Sequence, residues 1–205
     1  RENVWQFDNL KRFVADLRRV DPGVSGVPVV VLESARLMHR TFLFAAGVTL
    51  CLVSLILLGY SRSWRYVLLT ILPLGVSMLW LLELMGGMGI QFNLANFFAI
   101  PILIAIGVDG GVHLLARWKE LGTEPGHKAG TGPIRGLFHT STPTAVTLSF
   151  ATTMIGFGGL LFAHHLGLAS LGLVMVLGSF MGMMAALLAL PPALKLLGNF
   201  NKRRH

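Results

Sequence analysis

Residues 92–120 read FNLANFFAIPILIAIGVDGGVHLLARWKE. The stretch is apolar for long enough to cross a bilayer, yet Asp109 lies well inside it. An ionised carboxylate in hydrocarbon costs roughly 2.5–3.5 kcal/mol even on insertion scales, so such a residue normally faces a protein interior or a wet path. The functional reading is the default, and the plainer alternative is an acid that only ties two helices together by hydrogen bonds. His113 follows four residues later and shares the helix face of Asp109. Gly107 and Gly111 form a small-xxx-small pair, with Gly110 beside the acid, so a neighbouring helix is expected to approach the carboxylate closely.

The composition extends this reading to the whole chain. Its 205 residues are 54% apolar and only 13% charged, against about 25% charged in soluble domains, which indicates a membrane protein. The net charge of +8 does not point to nucleic acid. The Lys and Arg residues cluster between hydrophobic runs, where they report orientation instead. The single cysteine, Cys51, lies inside such a run and excludes a disulfide within the chain or a cysteine-based metal site. The chain starts at Arg1 with neither an initiator methionine nor a signal peptide, as expected of a piece of something longer.

Residues 1–33 are the one part that reads as water-soluble. Leu10, Phe13, Val14 and Leu17 recur at helical spacing between Lys11, Arg12, Asp16 and Arg18, which predicts an amphipathic helix. DPGVSG then signals a turn, and the valine-rich VPVVVL reads as a short strand. A small α+β remnant, the tail of a larger domain, is therefore expected at the amino terminus. The transmembrane domain is expected over 34–198, with five transmembrane helices at about 37–60, 66–88, 92–116, 144–162 and 168–190, each near the ~20 residues that match the hydrocarbon core. Pro73 is expected inside the second span, a bend at Pro101 in the third, and the stop of the fifth at Pro191 and Pro192. IRGLFHTS reads as a short amphipathic helix on the membrane surface. Residues 199–205 form a basic tail.

The loops at 61–65 and 117–142 and the tail carry Arg62, Arg65, Arg117, Lys119, Lys128, Arg135, Lys202, Arg203 and Arg204, whereas the turns at 86–92 and 164–167 carry no Lys or Arg. By the positive-inside rule the first group is cytoplasmic, which places the amino terminus outside and the carboxyl terminus inside. Acids in the amino-terminal piece offset its own basic residues, and a folded domain translocates largely regardless of charge.

IAIGVDGGVHLLARWKE, followed by TPTAVTLSFATTMIGFGGLLFAHHLGLASLGL, resembles the resistance–nodulation–division (RND) superfamily of proton-driven exporters. The likeness is greatest to the branch that holds the mycobacterial large membrane proteins (MMPL) and the hopanoid exporters. In that branch an acid in a G-[IV]-D-x-G-[IV]-H context sits in the fourth helix of each half, and a TTxxGFxxL pattern recurs in the next. Here these fall at Gly107 to His113 and at Thr152 to Leu160. LKRFVADLRRVDPGVSGVPVVVLESARLM resembles the end of the same branch's periplasmic domain. Many relatives carry Asp-Tyr where this chain has Asp109-Gly110, so the tyrosine hydroxyl is absent.

The resemblance implies an all-α membrane fold: one RND half lacking its first helix, from the carboxyl-terminal side, in a bacterial inner membrane. It implies proton-motive-force-driven export of lipid-like or amphiphilic molecules, with hopanoids as the specific expectation. The alternative is a domain of the same architecture that exports nothing, either a sterol-sensing type or a helper of protein translocation. Asp109 would carry the proton with His113 as a tuning partner, and its changing charge would bias a two-state helix packing. Ser149, Thr152 and Thr153, three and four residues apart, would hydrate and orient the acid or serve as ordinary interhelical contacts. Gly107, Gly110 and Gly111 would pack helices at the relay. The expected partners are membrane lipids, a lipid-like substrate, the amino-terminal half of the same transporter and a second copy in a homo-oligomer, with protons as the coupling ion and no other cofactor. His113, His127, His164 and His165 show no metal-ligand spacing. GVDGG follows no strand and does not read as a phosphate loop, and no catalytic arrangement is expected.

Overall fold

The regular structure of the described residues is helical throughout. The computed structural model describes residues 7–90, 93, 95–123 and 134–195. Among these residues the regular structure is seven α-helices and two 3-10 turns, with no strand. The chain divides into two units, residues 1–47 and 48–205, and the division falls within the second helix.

In the first unit, α1 (Phe7–Val20) is the amphipathic helix its spacing predicts. Leu10 and Val14 are buried, while Phe13 stays exposed. The Asp21 side chain accepts a bond from the Gly23 N–H at 2.9 Å and closes the turn that follows. The expected strand VPVVVL is instead the beginning of α2 (Val27–Ser61), so the α+β remnant is corrected to helix over its described residues. Three features explain this. Pro28 falls in the first helical turn, where its missing N–H is no loss. The Val30 N–H donates to the Gly26 carbonyl, so the helix starts at a glycine whose φ of 154° side chains rarely adopt. Val29 and Leu32, three residues apart, then form one stripe against Leu10 and Val14. This packing outweighs the modest strand preference of β-branched residues.

The second unit holds the remainder of α2 and five further helices: α3 (Trp64–Gly87), α4 (Ala99–Thr123), α5 (Ile134–Phe138), α6 (Ser141–Gly158) and α7 (Leu166–Leu188). Pro73 lies inside α3 without ending it. That helix closes with Gly89 in the left-handed region at φ 67°. Ile90 and Gly89 donate their N–H groups back to the Met85 and Gly86 carbonyls at 2.9 and 3.2 Å, a Schellman end that satisfies carbonyls the helix itself leaves open. Pro101 does not bend a helix already under way. A 3-10 turn over Asn96–Phe98 leads into α4 at Ala99, so Pro101 occupies a first-turn position. The proline pair near the end does not stop the chain's helical path either. The regular run of α7 ends at Leu188, Ala189 forms a turn, and residues 190–195 are helical again. Leu190 and Leu194 return fully buried to the core. The basic tail, and most of the Gly- and Pro-rich GTEPGHKAGTGP, lie outside the described residues.

Among the described residues, five helical stretches are long and apolar enough to cross a membrane: Val27–Gly59, Trp64–Gly87, Asn96–Leu121, Ser141–Phe162 and Leu166–Lys195. This is a multi-pass membrane protein. Within the second unit, α7 is the hub, packed against α3, α4 and α6. Small residues let these helices close in. The ring of Phe150 on α6 fills the space that a Cβ on Gly110 of α4 or Gly182 of α7 would need, each 2.9 Å from a ring carbon. In a bilayer such close packing, rather than water exclusion, drives helix association.

Candidate functional site

Asp109 lies near the middle of α4, one turn before His113. The Asp109 Oδ1 and His113 Nε2 are 3.3 Å apart, with side chains 63% and 62% exposed respectively. The exposure follows from helix geometry. Leu103, Gly107, Val108, Gly110, Gly111, Leu114 and Leu115 are buried, and they occupy the side of α4 facing α3, α6 and α7. Asp109, with Ala105 and His113, falls on the opposite side. The acid is therefore turned away from the bundle that carries it.

The three glycines expected beside the acid make close helix contacts, but on the other faces of α4. A Cβ on Gly107 would lie 3.0 Å from the Leu74 Cδ1, and one on Gly111 would lie 2.6 Å from the Thr70 carbonyl oxygen, so both glycines receive α3. Gly110 receives Phe150 of α6. Neighbouring helices thus approach the backbone at the acid's level and leave the carboxylate uncovered.

Of the α6 hydroxyls, Ser149 and Thr152 are exposed and Thr153 is half-buried. Thr152 and Thr153 both donate to the Ser149 carbonyl, at 2.9 and 3.0 Å. These bonds stay within α6, and among the described residues none links a hydroxyl to Asp109. The contact of Phe150 with Gly110 nevertheless puts Ser149 and Asp109, their chain neighbours, at one depth of the bundle. The described residues contain no group of three or more His, Cys, Asp or Glu able to hold a metal ion.

Residues 5–205 match the model of the MMPL family. The chain belongs to the MMPL family. It is 32% identical over 168 residues to the hopanoid transporter HpnN of Burkholderia multivorans, covering 82% of this chain and 18% of that protein. It is 29% identical over 187 residues to the hopanoid transporter HpnN of Rhodopseudomonas palustris, covering 91% of this chain and 20% of that protein. The putative membrane protein MJ1562 of Methanocaldococcus jannaschii is 29% identical over 177 residues, which cover 83% of this chain and 44% of that protein. The chain thus spans about a fifth of the length of the two hopanoid transporters.

Sequence reasoning missed a second polar feature of this MMPL chain. Asn96 is fully buried at the start of the α4 segment, and its side-chain amide donates to the Ser170 Oγ of α7 at 3.0 Å. Asn93 donates to the same oxygen at 2.8 Å, and its Oδ1 accepts the Ala95 and Asn96 N–H groups at 3.0 and 2.9 Å. The Asn96 Oδ1 accepts the Asn93 N–H at 2.8 Å. Two asparagines three apart at the mouth of an apolar run were the available signal; Ser170, 74 residues away, was not predictable from spacing. His165 caps α7 nearby, its Nδ1 accepting the Gly167 N–H at 3.2 Å. Ser179 is fully buried on α7, and its hydroxyl has no hydrogen-bond partner among the described residues.

Proposed function

We propose that this chain is one helical half of a proton-motive-force-driven exporter of lipid-like molecules, hopanoids or related lipids, in a bacterial inner membrane. The observation that carries the reading is the placement of Asp109: an acid at mid-depth of an apolar helix, paired with His113 and facing away from its own bundle. A carboxylate so placed is too costly to leave in lipid. A second helical half, the amino-terminal half of the same transporter, would cover this face and turn it into an interface. Its own polar groups, the exposed Ser149 and Thr152, and water would then solvate the acid. Protonation of Asp109 would remove the charge between the halves, and return of the charge would favour a wetter arrangement. That difference between two packings is what a proton gradient needs in order to drive a conformational cycle. The two HpnN relatives are hopanoid transporters, which supports lipid as the substrate class.

The test is Asp109→Asn in the full-length protein, with export of a lipid substrate measured at matched expression across pH. Asparagine keeps the size and can still hydrogen-bond, so folding and membrane insertion should survive while export is lost. Export at the wild-type rate would reduce Asp109 to a packing residue. Asp109→Glu, which keeps a carboxylate with altered reach, should retain partial export with a displaced pH profile.

A further inference from the structure

One end of the α3, α4, α6 and α7 bundle is strongly basic. Its described charged residues include Arg62, Arg65, Arg117, Lys119 and Lys195 against a single acid, Glu120. The positive-inside rule accounts for a basic end in general, but it does not account for how three of these cations are arranged. Glu120 is engaged by Arg117 at 2.9 Å. Lys119 extends from the last turns of α4 until its Nζ lies 4.2 Å from the centre of the Tyr66 ring, a cation–π contact. An α4 cation is thereby delivered to the first turn of α3, one residue from Arg65. Arg62 occupies the left-handed region at φ 51° in the two-residue link between α2 and α3. It and Arg65 flank Trp64, which is exposed. Exposed tryptophan is characteristic of the headgroup level of a bilayer.

The next turns of α3 supply the other half of the argument. Arg65, Leu68, Leu72 and Leu79 are spaced i, i+3, i+7 and i+14 and therefore form one stripe along the helix. The three leucines are exposed, on the side away from the core. The stripe is thus charged at the bundle's end and apolar from there toward the membrane's middle. A free phosphate would use only the first part. A phospholipid uses both, with its phosphodiester between guanidinium groups that suit bidentate phosphate contacts and an acyl chain along the leucines.

We infer that Arg62, Trp64, Arg65 and Lys119 form a binding site for the headgroup of an anionic phospholipid whose acyl chain lies along Leu68 and Leu72 of α3. Basic sites between membrane helices select such lipids over zwitterionic ones. The site does not depend on the export reading, and it is not near Asp109.

The experiment is native mass spectrometry of the full-length protein titrated with phosphatidylglycerol or with phosphatidylcholine. One phosphatidylglycerol should be retained in preference to phosphatidylcholine. Arg65→Ala and Lys119→Ala should each weaken that retention about fivefold, the effect of one basic residue at a membrane surface. Arg117→Ala, which removes a cation already engaged by Glu120, should change it less than twofold, and Arg65→Lys should retain most of it. All three positions lie at the bundle's end, and unchanged thermal unfolding of the four variants verifies the fold. Equal loss from Arg117→Ala and Arg65→Ala would mean a diffuse field and no site. Equal retention of the two lipids, or displacement of the lipid by millimolar inorganic phosphate, would overturn the proposal as well.

Discussion

At Gly111 there is no room for a methyl group. Its Cβ would stand 2.6 Å from the Thr70 carbonyl oxygen, which is backbone and can move only with α3. At Gly107 the corresponding obstacle is the Leu74 Cδ1 at 3.0 Å, the tip of a side chain that can rotate. Gly111→Ala should therefore destabilise the fold by about 1–3 kcal/mol, the usual cost of overpacking, and Gly107→Ala by less. Thermal unfolding in one detergent measures both, and equal melting temperatures for the two variants would contradict the close approach of α3. The pair of Asp109 and His113 behaves differently at this scale. With both side chains about three-fifths exposed, His113→Ala should cost the isolated chain within about 1 kcal/mol of stability. Its effect should appear as a changed pH profile of export in the whole protein, smaller than that of Asp109→Asn.

Among the elements, α4 carries the candidate acid, and the Asn93 and Asn96 amides tie its start to Ser170 of α7. Asn96→Ala removes a donor to Ser170 and an acceptor for the Asn93 N–H, leaving groups at a buried position unsatisfied at about 1–3 kcal/mol. Ser170→Ala removes the oxygen that both amides share, so the double variant should cost less than the sum of the singles. Additive melting shifts would show that the three residues do not act as one unit. The fates of the individual elements show what the sequence could and could not convey. The five spans were legible because a run of about 20 apolar residues has few other uses. The helix α1 was legible because its stripe is local. VPVVVL was misread as a strand because its valines carry a local preference, whereas the partners that decide the matter, Leu10 and Val14, lie on another helix. The prolines at 191 and 192 were read as a stop because they break backbone bonds, yet Leu190 and Leu194 find places in the core that hold the next turn helical. Asp109 was legible as an anomaly of composition. That it faces outward was not, because its orientation depends on where α3 and α6 meet Gly107, Gly110 and Gly111.

At the scale of the whole molecule, the distribution of Lys and Arg gives an orientation that labelling can test. Single cysteines at Gly87 and His165, in Cys51→Ser protein, should react with a membrane-impermeant maleimide added from the periplasmic side, and one at His139 only after permeabilisation. The reverse pattern would overturn the assignment. A more demanding expectation follows from the bundle itself. Its helices close around α7, and they leave the mid-membrane acid on an outer face, where an ionised carboxylate is costly to keep in lipid. The chain also spans about a fifth of the hopanoid transporters it resembles, so surfaces that would enclose a substrate are to be sought in the rest of such a protein. Residues 1–205 alone, reconstituted in proteoliposomes with a proton gradient, should insert and show no lipid efflux. The full-length protein under the same gradient should show efflux, and Asp109→Asn in it should not. Co-reconstitution of residues 1–205 with the remainder of the protein as a separate chain should restore a part of the rate if covering the outward face is what the acid requires. Efflux from residues 1–205 alone would mean that one bundle forms a complete path. In that case the exposed side of α4 would be lined by lipid and water rather than by a second half.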